Sequence, residues 1–188
     1  YANANNVDLS PYYDVNNPAD TNWQDEVLRS GFSHNHNISI NGGNEKTTYS
    51  ASLNYIDREG VVRGTSMDRI TARSFLQTKT LKDHLDLSVS VNASITNKQT
   101  ASTENQGRSV LDAMYYYNPV KNADGSWYAN TSISQSYNPL SMVYEDQYKT
   151  KEKMLQGIAK ATLHIIDGLD WNLNLSYQNE QYIYSNYN

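Results

Sequence analysis

The stretch His34-Asn-His-Asn-Ile-Ser-Ile-Asn41, Gly42-Gly43-Asn44-Glu45, Lys46-Thr-Thr-Tyr-Ser-Ala-Ser-Leu-Asn-Tyr-Ile-Asp57 decides the fold. Two alternating runs flank a glycine-rich segment, which predicts a β-hairpin turning at 42–45. On the second run Thr47, Tyr49, Ala51, Leu53 and Tyr55 share one face, and Thr48, Ser50, Ser52 and Asn54 share the other. The first face holds no charge and the second no apolar side chain.

The same two-faced pattern returns downstream. It predicts strands over about 34–41, 46–57, 67–79, 84–97, 151–166 and 171–185, with tight turns at 42–45, 80–83 and 167–170. Residues 84–97 alternate most cleanly, with Leu85, Leu87, Val89, Val91, Ala93 and Ile95 against Asp86, Ser88, Ser90, Asn92 and Ser94. Every second residue over 47–55, 70–76, 85–95, 155–165 and 171–177 gives 25 positions, none of them charged. Of the 20 intervening positions only Phe75 and Ile158 are apolar.

Alternation alone fits both a soluble sandwich and a membrane barrel, because each buries one face. Length separates them. Runs of about eleven residues exceed the usual five or six of soluble sheets. At about 3.3 Å per residue and a tilt near 40° they rise roughly 25 Å, the height of an outer-membrane barrel's apolar band. Purity separates them too, since a lysine or arginine facing lipid at mid-depth costs about 2–4 kcal/mol. Gly157, Ala159 and Ala161 suit a deformable lipid wall better than a core that needs volume. Tyr49, Tyr55, Trp171 and Tyr177 suit interfacial girdles. Finally, short turns alternate with longer connections at 58–66 and 97–150, the asymmetry of barrels with tight periplasmic turns and elaborate outer loops. The expectation is an all-β chain, a segment of an antiparallel transmembrane β-barrel.

Composition narrows the function classes. Across 188 residues the mean hydropathy is −0.75, the net charge is −5, and cysteine is absent. No basic cluster supports nucleic-acid binding, and disulfides and thiolate metal sites are excluded. Tyr1-Ala-Asn-Ala-Asn-Asn lacks the pattern of a signal peptide, and the chain stops within an alternating run, so it reads as an internal piece of a longer protein.

Residues 1–33 read as a loop region with one short helix, Trp23 to Arg29, capped by Asp20 or Thr21 and ended by Gly31. The 97–150 connection is expected to hold one helical segment, roughly Glu104 to Tyr117, ended by Pro119. Trp127, Tyr128, Tyr137 and Tyr144 lie in its remainder, either packing the loop or presenting rings to sugars or to a partner. Arg69, Arg73 and Lys160 fall on the polar face.

Catalytic and metal constellations are not found. His34 and His36 share a strand face but have no third ligand, and His84 and His164 fall on the polar face. No carboxylate pair, phosphate loop or nucleophile elbow stands out. The Asn-x-Ser/Thr triplets at Asn37, Asn92, Asn130 and Asn174 follow from an asparagine-rich composition rather than from glycosylation. The chain is expected to be no enzyme, with no cofactor and no bound metal.

Thr21-Asn-Trp-Gln-Asp-Glu-Val27, the 34–49 hairpin and Leu53-Asn-Tyr-Ile-Asp-Arg-Glu-Gly-Val-Val62 resemble the SusC/RagA-like TonB-dependent outer-membrane transporters. Arg69-Ile-Thr-Ala-Arg73, Asn138-Pro-Leu140 and Ile166-Asp-Gly-Leu-Asp170 fit the same pattern. The resemblance implies a 22-stranded barrel around an N-terminal plug, energised by TonB. It further implies a SusD-like lipoprotein lid, oligosaccharide or peptide cargo, and a Bacteroidota-type Gram-negative outer membrane. The fragment would supply about six strands, with 1–33 and 97–150 extracellular and the plug domain absent. Arg69, Arg73 and Lys160 would then face the lumen, pairing with plug carboxylates or touching cargo. The rival readings are a soluble carbohydrate-binding β-sandwich and an outer-membrane enzyme.

Overall fold

The opening hairpin pairs Ser33–Gly43 (β1) with Thr47–Glu59 (β2), in a register that sets His36 against Tyr55, Ile38 against Leu53 and Gly42 against Tyr49. The glycines are therefore strand residues, and the turn falls at 44–46. Asn44 makes it: its side-chain oxygen accepts from the backbone N–H groups of Lys46 and Thr47 at 2.9 and 2.8 Å. Such an Asx turn needs no glycine. Gly42 serves space instead, because a Cβ there would lie 2.6 Å from the Tyr49 hydroxyl. The tyrosine lies over the bare backbone of its partner.

The computed structural model of the chain describes residues 19–101, 104–105, 108–109, 119–129 and 138–187. Four more long strands follow β2: Ser66–Thr80 (β3), Leu85–Ala101 (β4), Gln147–Ile166 (β7) and Leu169–Tyr187 (β8). All neighbours are antiparallel, in the order β1-β2-β3-β4-β7-β8. Among the described residues the sheet is open, since β1 and β8 each have one neighbour. Glu104–Asn105 (β5) and Arg108–Ser109 (β6) form a separate short ladder, which corrects the expected helix there. The rest of that expected helix, to Tyr117, lies outside the described residues.

Two helices are short. Trp23–Val27 (α1) is capped by Asn22, not by Asp20 or Thr21; the Asn22 side chain accepts from Gln24 N–H at 3.2 Å. It ends before Gly31, because Leu28 turns extended to bridge Val62. Pro139–Tyr144 (α2) is the helix among the described residues of the long connection, with Asn138 as cap and proline in the first turn, where a missing N–H costs nothing.

Register makes the pattern two-dimensional. Ile38, Leu53, Ala72, Ala93 and Leu155 form one row across β1, β2, β3, β4 and β7. Tyr49, Leu76, Val89, Ala159 and Leu175 form another, nearer the tight turns. Charge enters this face only toward the long-connection end, with Asp57, Glu59, Asp68, Lys149, Lys151 and Lys153.

Among the described residues no second layer covers this band: Ile38 is 72% exposed, Leu175 59% and Trp171 52%. Such side chains each gain about 1.5–3 kcal/mol on leaving water, so the face requires an apolar surrounding.

The buried cluster lies elsewhere, against the long-connection end. Trp23 and Val27 of α1 meet Leu140, Met142 and Val143 of α2 and Ala101 of β4, with Val62, Val120 and Trp127 packed around them. Gly64 lets the 60–65 turn into this cluster: its φ is +74°, and a Cβ would lie 2.7 Å from the Val143 carbonyl oxygen.

Candidate lumen face and loop cap

The even-numbered residues of β4 and β7, and the odd-numbered residues of β3, build the polar face. Hydrogen bonds run along and across it. Arg69 Nε donates to the buried Thr96 hydroxyl at 2.9 Å, Lys98 Nζ to Glu152 Oε1 at 2.6 Å, and the Thr162 hydroxyl to Asn172 at 2.7 Å. Toward the tight turns, His164 lies 2.7 Å from Asp170 through Nδ1 and 3.5 Å from Asp86 through Nε2. His84 Nδ1 is 3.2 Å from the His164 carbonyl oxygen. These histidines are fixed by neighbours, and among the described residues no group of three His, Asp or Glu side chains is arranged to hold a metal ion.

The three sequence-predicted cations of this face differ. Arg69 is half-buried and committed to Thr96. Arg73 and Lys160 are exposed and make no hydrogen bond or ion pair with a described residue. Arg73 stands between Ser52 and Asn92 in a trough of about 510 Å³ shared with Asn41, Phe75 and Gln156. The Asn92 side-chain oxygen is buried in that wall without a donor. A guanidinium with free N–H groups beside a polar trough can hold a carboxylate bidentately.

The loop aromatics are brought together in part. Trp127 and Tyr144 stack with centroids 6.0 Å apart and planes 7° from parallel. The Lys121 ammonium sits 4.7 Å from the Trp127 ring centre, and the indole N–H donates to Glu145 at 2.8 Å. Trp127 thus packs the cap, while Tyr144 stays 47% exposed. Tyr128 is half-buried, its carbonyl accepting from Asn138 at 3.2 Å. Tyr137 lies outside the described residues. Asn138 organises the cap: it also donates to Val120 O at 2.7 Å and accepts from Leu140 N–H at 3.0 Å. In the sequence Asn138 stood out only within the family resemblance and not as a cap, although an Asn-Pro pair is a helix-start signal. In the 122–126 turn, the Ser126 hydroxyl and N–H hold the Asp124 carboxyl below the usual carboxylate range.

The loop of residues 58–66 is tied to the segment around α1. Arg29 donates through Nε to Gly60 O and through Nη2 to Thr65 O, both at 3.1 Å, and Arg63 Nε donates to Glu26 O at 2.8 Å. Connections from four parts of the chain therefore form one ordered cap at one end of the sheet.

No family model matches the chain. TonB-dependent receptor P3 of Formosa agariphila is 27% identical over 174 residues, which cover 88% of this chain and 17% of that protein. TonB-dependent receptor SusC of Bacteroides thetaiotaomicron is 38% identical over 71 residues, 38% of this chain and 7% of that protein. The RagAB peptide importer in its closed-closed state superposes with a TM-score of 0.71 at 18% identity, over 90% of this chain and 20% of that one. The similarities point to the SusC/RagA-type TonB-dependent receptors. The SusC/RagA likeness in structure concerns the fold, a six-stranded antiparallel sheet consistent with part of a β-barrel. Its sequence component names receptors rather than enzymes. The chain spans 17% of the length of the first TonB-dependent receptor it matches and 7% and 10% of two others.

Proposed function

We propose that the chain is a sector of the barrel wall of a TonB-dependent outer-membrane importer of oligosaccharides or peptides, working with a SusD-like surface lipoprotein. The observation that carries this reading is the apolar band, charged only at its long-connection end, that continues across six strands with no described residue packed over it. Opposite it lies an equally continuous face of hydroxyls and amides. A sheet with one side for hydrocarbon and one for water is a pore wall.

On this reading the turns at 44–46, 81–84 and 167–168 face the periplasm, and the cap around α1 and α2 faces outward. Arg73 and Lys160 point into the lumen, where plug carboxylates supply the partners that the described residues do not. The exposed part of Tyr144 and the half-buried Tyr128 offer rings to cargo or lid, with Tyr137 kept as a candidate from the sequence alone. Transport then consists of capture under the lid, plug displacement driven by TonB, and passage along the polar face.

Fractionation of cells expressing the parent gene tests the reading. The product is expected to sediment with the outer membrane, resist high salt and leave only in detergent. Release by salt alone overturns it. Growth of a deletion strain on single glycans and on peptides then assigns the cargo class.

A further inference from the structure

Lys149, Lys151 and Lys153 follow one another at every second position of β7, so all three leave the sheet on the apolar side, and all are exposed. Their cross-strand neighbours carry no charge: Ile95 and Gln181 beside Lys153, Asn97 and Ile183 beside Lys151, Gln99 and Ser185 beside Lys149. Lys151 and Lys153 make no ion pair with a described residue. Lys151 and Lys153, like charges about 6.6 Å apart along one strand, repel unless an anion lies among them.

A hollow of about 290 Å³ lies at this place, lined by Lys149, Lys151, Asn97, Gln99 and Ser185, with Asp68 at its β3 side. The Asp68 carboxylate accepts from Asn97 at 2.8 Å. An anion entering the hollow is therefore pushed toward the β7 lysines. Directly below on the same face of β7 come Leu155, Gly157 and Ala159, the start of the apolar band.

We propose that this hollow, together with Lys153, binds the phosphate-bearing headgroup of a lipid in the outer leaflet. The proposal rests on the reading of this face as lipid-facing. Charge complementarity selects the headgroup, and the adjoining apolar wall gives its acyl chains a surface to lie on. Lysine suits the task, because a flexible stem carries a point charge to a mobile phosphate.

The test uses the full parent protein, purified from outer membranes in detergent and titrated by native mass spectrometry. The probes are phosphorylated lipid A, the same lipid A dephosphorylated, and inorganic phosphate. Wild type is expected to hold phosphorylated lipid A about 30-fold more tightly than the Lys151→Gln/Lys153→Gln variant. Dephosphorylated lipid A is expected to bind both equally, and inorganic phosphate to displace nothing. Lys79→Gln, on the other face at the tight-turn end, is expected to match wild type. Equal lipid affinity in wild type and variant overturns the proposal, as does displacement by inorganic phosphate alone. If the double variant does not fold, a salt titration of wild type decides: affinity must fall with salt, and a flat response overturns the proposal. A product that sediments with the outer membrane yet ignores lipid phosphate sinks this proposal alone; one that never reaches that membrane sinks the barrel reading beneath it.

Discussion

Placing a lysine at Val91 is the sharpest perturbation of the wall. Val91 sits between Ser74 and Gly157 in the middle of the odd face of β4. From Leu85 to Ile95 the strand climbs ten steps, about 25 Å along the membrane normal at 3.3 Å per residue and a tilt near 40°. Val91 then lies about 15 Å from one edge and about 10 Å from the other, within about 3 Å of mid-depth. A lysine there is expected to cost about 2–4 kcal/mol, and Leu85→Lys at the edge about 0–1 kcal/mol. Ser90→Lys, one residue away on the polar face, is expected to stay within about 0.5 kcal/mol of wild type. Urea unfolding of the parent protein in lipid vesicles reads all three. A soluble core penalises charge without regard to membrane depth. Equal costs at Leu85 and Val91, or no cost at Val91, would refute the lipid-wall reasoning.

The remaining predictions concern the cap, a turn and a gap in the wall. Asn138→Ala removes the α2 cap and leaves the Val120 and Tyr128 carbonyls without that donor; it is expected to cost the cap about 1–3 kcal/mol. Faster hydrogen exchange over 119–129 and 138–145, with the strands unchanged, checks it. Leu81, Lys82 and Asp83 all have positive φ, 53°, 56° and 68°, so Lys82→Gly is expected to stabilise the turn by about 1 kcal/mol. A higher denaturant midpoint shows the gain, and a lower one contradicts the strain. Gly157→Ala meets nothing within 4 Å and has no positive φ, so about 0.4–1 kcal/mol of stabilisation is expected in the same measurement.

The sheet was legible because a period of two is enforced by backbone geometry and each face has a single environment. Its ends were not. The Lys149–Lys153 segment carries charge on the side that is apolar lower down, so alternation of hydropathy fades there while the ladder continues to Gln147. Gly42 and Gly43 drew the turn toward themselves, whereas with the Asn44 side chain it begins two residues later, at 44. The Glu104–Tyr117 spacing suggested a helix, but 104–105 and 108–109 pair as strands, and α2 forms where Asn138 and Pro139 start it. Of the candidate site residues, face parity placed Arg69, Arg73 and Lys160 together from sequence. Parity says nothing of partners, so the commitment of Arg69 to Thr96 and the freedom of Arg73 needed coordinates. The Trp127–Tyr144 stack joins residues seventeen apart across an irregular loop, which no periodicity encodes.

Nitroxide scanning along β4 tests the central claim most directly. Each residue from Ser88 to Ile95 of the parent protein, in vesicles, is replaced in turn by cysteine and spin-labelled. Collision with oxygen, which partitions into hydrocarbon, is compared with collision with a water-soluble nickel chelate. Labels at Val89, Val91, Ala93 and Ile95 are predicted to meet oxygen and little nickel, and those at Ser88, Ser90, Asn92 and Ser94 the reverse. Labels at Val89, Val91 and Ala93 that meet neither probe would mean a packed protein interior, and would contradict the account.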